Sequence, residues 1–181
     1  ARALAPRPRL LMLDEPLGAL DRALREQLGD ELRRLLHATG IPAVYVTHDQ
    51  EEAFAIADRL VLLHEGRIAQ QGTPAEVFTR PASTWVAKFL GQTNLVAGKI
   101  SGLNPLRAVT PIGEIRTACA QDGSRQVGEM VTFFLRPGAA RLTGDQPAEN
   151  RLAGRIEDII FRGEQIRVVL RMNGGLELHF D

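Results

Sequence analysis

The sequence predicts a mixed fold, with an α/β domain over residues 1–92 followed by a small all-β domain over residues 93–181. In the first part, short apolar runs alternate with leucines that recur at helical spacing, as in a parallel sheet covered by helices. In the second part, short segments rich in Val, Ile, Leu and Phe are separated by Gly and Pro, which is typical of a small barrel or sandwich. We place the boundary between the two at residues 91–94.

The first predicted strand is Leu10–Leu13, which is apolar at every position and is therefore expected to be buried on both faces. A helix follows, because leucines recur at helical spacing between Leu24 and Leu36. Asp21 is a candidate N-cap for this helix, and Gly40 marks its end.

The remainder of the first part is predicted to contain a second buried strand, a second helix, a hairpin made of two strands joined at Glu65-Gly66, and two short helices. These elements are Ala43–Thr47, Gln50–Asp58, Leu60–Leu63 with Arg67–Gln71, Pro74–Thr79 and Ser83–Leu90. In the second part, strands are expected in five segments: Leu95–Ile100, Val131–Arg136, Leu152–Ile160, Gln165–Arg171 and Leu176–Phe180.

Composition excludes several classes of protein. The 22 basic residues balance the 22 acidic ones, so the chain lacks the cationic excess of a nucleic-acid-binding protein, and we expect no nucleic-acid partner. Cys119, the single cysteine, excludes an internal disulfide framework and suits a reducing compartment. No apolar run approaches the roughly 20 residues that span a bilayer, so any role at a membrane is expected to come through a partner.

Ionisable side chains follow two of the predicted strands. Asp14 and Glu15 come directly after the first strand, and His48 follows the second. Ligands of α/β sheets bind beyond the carboxyl ends of the strands, so these three side chains are expected at one edge of the sheet. Asp14 is a candidate magnesium ligand, Glu15 a candidate to polarise an attacking water, and His48 a candidate hydrogen-bond partner of a terminal phosphate. Asp21 is a candidate to fix the preceding loop or to reach a second subunit.

Each of these residues also has a purely structural interpretation. An Asp-Glu pair after an apolar run is often only a solvated strand end, and a histidine before Asp49 more often caps or packs than catalyses. Asp21 alone is most simply a helix N-cap, and Gln50-Glu51-Glu52 is most simply an acidic first helical turn. The order and spacing of the whole set favour the functional interpretation.

That ordered set resembles the second half of an ATP-binding cassette (ABC) ATPase. LLMLDEP is similar to the Walker B strand with its catalytic glutamate, LGALD to the D-loop, and VTHDQEEA to the H-loop. The stretch ADRLVLLHEGRIAQQGTPAEVFTRPASTWVAKFLGQTN resembles the import subfamily, whose C-terminal regulatory domain is an OB-like barrel called TOBE. VTFFLRPGAARL and GRIEDIIFRGEQIRVVL resemble segments of that barrel, although RPG replaces the more familiar Arg-Pro-Glu.

The resemblance implies a partial RecA-like layer of the P-loop NTPase type, followed by a TOBE barrel. It also implies ATP and magnesium as cofactors, with Glu15 and His48 catalytic, Asp14 at the metal and Asp21 contacting the nucleotide site. The implied partners are a second ATPase subunit and transmembrane permease subunits. The implied location is the cytoplasmic face of the cell membrane.

A phosphate-binding loop is missing from this sequence. Such a loop reads G-x-x-x-x-G-K-[ST], and the two lysines, Lys88 and Lys99, are followed by neither Ser nor Thr. The Q-loop and the LSGGQ-type signature are also missing, so the resemblance places Ala1 in the middle of a domain and makes the chain a C-terminal fragment. We therefore expect no ATP hydrolysis by this chain alone, and we expect residues 1–92 to expose apolar surface.

Alternative functions remain for the second part. It is a candidate regulatory, dimerisation or oxyanion-binding module, and five arginines are candidate oxyanion ligands: Arg136, Arg141, Arg155, Arg162 and Arg167. Their alternation with acidic residues instead favours a mixed solvated surface.

The aromatic residues are expected to pack rather than to bind a ligand. Sequence context suggests a core position for Phe133, Phe134, Phe161 and Phe180, and Trp85 and Phe89 are expected to pack a linker helix. Besides an importer ATPase and a regulatory module, an ABC ATPase that acts on DNA is an alternative, and the stretch after the H-loop disfavours it. The sequence does not predict which solute is transported.

Overall fold

The computed structural model describes residues 8–117, 125–142, 148–163 and 165–181. The chain divides into two compact units, Ala1–Val86 and Ala87–Asp181. Ala1 and Cys119, on which two of the expectations above depend, lie outside the described residues.

The first unit contains a short parallel sheet of strands β1 (Leu11–Asp14) and β2 (Ala43–Val46), in which Asp14 lies opposite Val46. Helix α1 (Arg22–Thr39) joins the two strands, and helix α2 (Gln50–Ile56) follows β2. These four predicted elements are confirmed. The two helices meet at Gly29, which is buried close to Ile56.

A β-hairpin follows within the same unit. Strands β3 (Leu60–His64) and β4 (Arg67–Gly72) pair antiparallel, as predicted, around a turn at Glu65-Gly66. Among the described residues these strands pair only with each other, so they form a sheet separate from β1 and β2. The two short helices predicted after the hairpin are also present, as α3 (Pro74–Thr79) and α4 (Thr84–Phe89). The expected RecA-like layer is not confirmed, because no described sheet joins all the strands of this unit.

Strands β1 and β2 are covered on one face only. Leu11 is 8% exposed, whereas Met12 is 73%, Val44 is 46% and Val46 is 51% exposed. The expectation that both strands are buried on both faces is therefore wrong, since no described element covers the second face. The related expectation, that this part of the chain exposes apolar surface, is confirmed.

The second unit contains two antiparallel sheets. The first has the order β7-β6-β5-β8 and the second the order β11-β10-β9. The strands are β5 (Leu95–Leu103), β6 (Leu106–Thr110), β7 (Gly113–Thr117), β8 (Met130–Phe134), β9 (Gly154–Phe161), β10 (Ile166–Met172) and β11 (Glu177–Phe180). Pro137–Ala139 forms a short 3₁₀ helix. The five predicted strands are confirmed, and β6 and β7 are additional strands that we did not predict.

Both sheets contribute to one core in this unit. Val96 of β5 and Ile115 of β7 pack with Met172 of β10 and Leu178 of β11. Phe133, Phe134 and Phe180 are half-buried, whereas Phe161 is 76% exposed. The expectation that Phe161 belongs to the core is therefore wrong. This residue ends β9, the outermost described strand of its sheet, where a side chain has few neighbours.

Candidate functional site

The parallel pairing of β1 and β2 brings their carboxyl ends to one edge. The register continues one residue beyond β1, since the Glu15 N–H donates to the Val46 carbonyl at 2.9 Å. Glu15 has a positive φ of 43°, in the left-handed region that residues other than glycine rarely adopt. Strained backbone of this kind is often found at functional sites, and here it marks the point where the chain leaves the strand.

Glu15 and His48 contact each other at this edge. The distance from His48 Nδ1 to Glu15 Oε1 is 2.9 Å. An ionised carboxylate only accepts hydrogen bonds, so Nδ1 carries the proton and donates it to Glu15. This hydrogen bond, together with the negative charge of Glu15, raises the pKa of His48 above its ordinary value. His48 Nε2 does not take part in the contact. The side chains of His48 and Glu15 are 76% and 53% exposed.

Asp14 occupies the last position of β1 and is exposed beside this pair. Over the described part of the chain, no three histidine, cysteine, aspartate or glutamate side chains form a metal-binding group. Asp14 thus offers one carboxylate at the sheet edge rather than a complete cage. A single carboxylate suits magnesium, which is usually held through one or two carboxylates and keeps several waters.

Asp21 lies at the N-terminus of α1. Its carboxylate accepts the Leu24 N–H at 3.0 Å and caps the helix, which is the structural interpretation given above. At the other end, Gly40 has a φ of 62° and donates to the Leu36 carbonyl. A contact between Asp21 and a nucleotide site remains a prediction.

Glu51 and Glu52 lie in the first turn of α2, so the expected acidic first turn is confirmed. Glu52 is in addition buried, since only 5% of it is exposed. Its Oε2 accepts hydrogen bonds from the hydroxyls of Tyr45 and Thr47, each at 2.9 Å. Burial is the main reason why the pKa of Tyr45 is raised. The sequence offered one signal for this arrangement, since Tyr45 and Thr47 are the polar members of an otherwise apolar strand segment.

Comparison with known proteins shows what the chain is similar to. Residues 133–180 match the model of the TOBE domain. Over 98% of its length the chain is 47% identical to the Fe(3+) ions import ATP-binding protein FbpC of Streptomyces coelicolor. It is 40% identical to the spermidine/putrescine import ATP-binding protein PotA of Mesorhizobium japonicum, over 97% of its length. It is 42% identical to the sulfate/thiosulfate import ATP-binding protein CysA 2 of Chromobacterium violaceum, over 96%.

The chain is thus similar, over nearly its whole length, to ATP-binding subunits of importers. It spans about half the length of these relatives, at 48%, 48% and 46%.

The residues of the chain fit the cofactors implied by the resemblance, ATP and magnesium, only in part. The carboxylate of Asp14 and the Glu15–His48 pair lie at one sheet edge, and carboxylate oxygens are ligands that magnesium prefers. The 181 residues provide no glycine-rich loop with a lysine, so nothing in them fits the role of cradling the β- and γ-phosphates. No helix in the described ranges has the length and apolar character of a membrane span.

Several arginines of the TOBE-bearing unit form ion pairs with acidic residues, and Arg167 is the one of the five candidate oxyanion ligands for which the described residues show such a pair. Arg167 pairs with Asp181 at 2.7 Å, and this contact lowers the pKa of Asp181. Arg155 lies opposite Arg171, which itself pairs with Glu157 at 2.6 Å and also contacts Glu177. These contacts favour a mixed solvated surface over an oxyanion site.

Trp85 packs within the first unit, in agreement with the packing role expected for it. Its indole stacks on the His64 ring with the centroids 3.8 Å apart.

Proposed function

We propose that this chain contributes to an ABC importer ATP-binding subunit, which couples ATP hydrolysis to solute uptake through membrane subunits. The observation that carries the proposal is the contact between Glu15 and His48 at 2.9 Å, in a chain similar over nearly its whole length to import ATP-binding proteins. A carboxylate and an imidazole at the ends of two parallel strands are placed where α/β proteins bind their ligands.

The proposed roles follow from the chemistry of each side chain. Glu15 accepts a hydrogen bond from the attacking water and orients it, because an ionised carboxylate is an acceptor. His48 uses Nδ1 to hold Glu15, which leaves Nε2 to donate to a phosphate oxygen when the ring is protonated. Asp14 holds magnesium directly or through water, and that ion neutralises phosphate charge when bound. Asp21 contacts the nucleotide site of a neighbouring subunit.

The proposed partners are transmembrane permease subunits and a second ATP-binding subunit. The proposed location is the cytoplasmic face of the cell membrane, where the permease subunits would hold this protein. The relatives are named for iron, spermidine or putrescine, and sulfate or thiosulfate. Because these solutes share no chemistry, no solute is proposed for this chain.

The proposal is tested on the complete ATP-binding protein that contains this sequence, together with its permease. Glu15→Gln keeps the shape of the side chain but removes its charge, so ATP turnover should fall by about 10²-fold or more while ATP binding is retained. His48→Ala should also reduce turnover. Glu31→Gln changes an exposed glutamate of α1 in the same way and should leave turnover unchanged. Near-normal turnover of Glu15→Gln would refute the assignment of the catalytic carboxylate.

A second experiment concerns the 181-residue chain alone. We expect no binding of a fluorescent ATP analogue, because nothing in the chain fits the phosphate-cradling role. Saturable binding that requires magnesium and is lost in Asp14→Asn would contradict this expectation.

The second unit supports an additional role. Its TOBE match over residues 133–180 favours a regulatory or dimerisation module, which is compatible with the transport proposal. Under this alternative, deleting residues 93–181 from the complete protein would leave basal ATP turnover intact and abolish only its regulation or its dimer stability.

A further inference from the structure

Arg25 contacts both segments that carry the Glu15–His48 pair. From the first turns of α1, its Nη2 donates to the Leu20 carbonyl at 2.9 Å and its Nη1 donates to the Asp49 carboxylate at 2.6 Å. Leu20 ends the loop that follows Glu15, and Asp49 directly follows His48. We propose that Arg25 is a positioning residue, which fixes the loop after Glu15 against the turn that carries His48 so that the two side chains meet.

One buried carboxylate, that of Glu52, extends this bridge to the other side of His48. The Nε of Arg25 lies 3.4 Å from Glu52, whose side chain is only 4% exposed. Thr47, on the other side of His48, donates to Glu52 at 2.9 Å and accepts the Asp49 N–H at 3.0 Å. Both neighbours of His48 thus belong to one partly buried hydrogen-bond network. A buried carboxylate such as Glu52 needs an opposite charge, and Arg25 provides it.

The pair itself depends on this support. Glu15 and His48 are 53% and 76% exposed, and an exposed ion pair gains little from its own contact. Its geometry is therefore set by how firmly the two backbone segments are held. A catalytic pair needs such rigid support, because small displacements of reacting groups cost large factors in rate.

The geometry requires an arginine. Three nitrogens of one planar group face three different partners: Leu20, Asp49 and Glu52. A lysine carries a single ammonium on a flexible stem and cannot reproduce this fork. Arg25→Lys therefore keeps the charge and removes the bridge, whereas Arg25→Met removes both.

The test follows the pKa of His48 in the chain by NMR titration. Glu15→Gln supplies the reference, because the pKa of His48 should fall when its partner loses its charge. Arg25→Met and Arg25→Lys should lower this pKa in the same direction, towards that reference. Loss of a nearby cation would by itself raise the pKa of a histidine, so a fall reports a lost Glu15–His48 contact.

Arg33 is the matched control. It also links α1 to α2, by donating to the Ala55 carbonyl at 2.8 Å, but this contact lies near the far end of α2. Arg33→Met should leave the pKa of His48 unchanged. An unchanged or raised pKa of His48 in a folded Arg25→Met chain would overturn the inference. If circular dichroism shows that Arg25→Met does not fold, Arg25→Lys decides the matter by the same criterion.

The catalytic meaning of this inference rests on the proposed function, and the two fail in different ways. In the complete protein, Arg25→Lys should lower kcat by roughly tenfold or more and leave the KM for ATP unchanged. If Glu15→Gln abolishes turnover but the pKa of His48 does not respond to Arg25, the positioning role fails alone. If the pKa responds but Glu15→Gln keeps normal turnover, the proposed function fails and Arg25 is only a structural bridge.

Discussion

Asp49 caps helix α2 and also links α2 to α1. Its carboxylate accepts the Glu52 N–H at 3.1 Å as the N-cap of α2, and it also accepts from Arg25 of α1. The hydrogen bond from the Glu52 backbone is the main cause of the lowered pKa of Asp49, and Arg25 adds to it. A lowered pKa in the folded state means that Asp49 stabilises the fold above its ordinary pKa and loses this effect as the pH falls through the folded-state value.

The lowered pKa of Asp49 gives a prediction about stability and pH. The midpoint of thermal unfolding should fall as the pH is lowered from about 5, above the ordinary pKa of aspartate, to about 2, and the fall should be smaller in Asp49→Asn. Asparagine caps helices about as well as aspartate, so the variant removes mainly the titration and the charge pairing. Asp30→Asn, at an exposed position of α1, is the control. An equal fall in wild type and Asp49→Asn would contradict the prediction.

Asn94 is one of three buried polar residues in the described part of the second unit, with Gln92 and Thr110. It is fully buried, and its amide nitrogen donates to the carbonyls of Leu135 and His179 at 3.1 and 2.6 Å. Its amide oxygen accepts the His179 N–H at 2.8 Å. One side chain therefore satisfies backbone groups of two segments that are far apart in sequence.

Replacing Asn94 should destabilise this unit. Asn94→Ala leaves those backbone groups without partners, at a cost of roughly 1–3 kcal/mol in the free energy of unfolding. Urea titration measures this loss. Asn173→Ala, at an exposed turn position, should have little effect. A loss no larger than that of the control would show that these hydrogen bonds contribute little.

At the scale of elements, local signals set the ends of the helices. Thr73 and Glu76 form a capping box at the start of α3, where the Glu76 carboxylate accepts the Thr73 N–H at 2.8 Å. Thr73 Oγ1 in turn accepts the Glu76 N–H at 3.3 Å, and Pro74 occupies the first helical turn. These interactions lie within four residues, so sequence alone locates this helix.

The capping box gives a prediction for α3. Thr73→Ala should cost about 1 kcal/mol of stability, measured as the free energy of unfolding in urea, because it removes the side-chain acceptor for a helix-terminal N–H. Thr73→Ser keeps the hydroxyl and should retain most of that stability. If the serine variant loses as much as the alanine variant, the threonine methyl group rather than the cap is responsible.

Apolar surface is the main feature of the first unit as a whole. Leu63 and Ile68 lie opposite each other in the β3–β4 hairpin and are 68% and 61% exposed. Val61, two residues before Leu63 on the same face, is 53% exposed. A contiguous patch of this kind is unusual on a monomeric soluble protein.

This patch should bind the dye ANS. Replacing Leu63 and Ile68 together by lysine should reduce ANS fluorescence, since the dye reports accessible apolar surface. Leu142→Lys changes an isolated leucine that is 96% exposed and should have little effect. Equal fluorescence in the wild type and the double variant would show that the hairpin is not the binding surface.

The sequence alone predicted those helix ends and turns that depend on interactions between neighbouring residues. Asp21 and Gly40 bracket α1, Glu65-Gly66 turns the hairpin, and Pro74 begins α3, because caps and turns depend on neighbouring residues. Strands β6 and β7 were missed, although Leu106, Ala108 and Thr110 are buried in alternation with Arg107 and Val109. The residue types themselves do not alternate, because the exposed Val109 is apolar and the buried Thr110 is polar, so the period-2 burial depends on packing.

The same distinction between local and long-range interactions applies to the candidate site. Asp14, Glu15 and His48 were identified from sequence, because parallel strands must end at one edge and polar residues follow both of them. The burial of Glu52 and the bridge from Arg25 to Asp49 were not predicted from the sequence. Arg25 is far from Asp49 and Glu52 in the chain and meets them only when α1 packs beside α2. Which faces of β1 and β2 are covered was likewise settled by packing, because an apolar residue looks the same in the sequence whether or not another element lies against it.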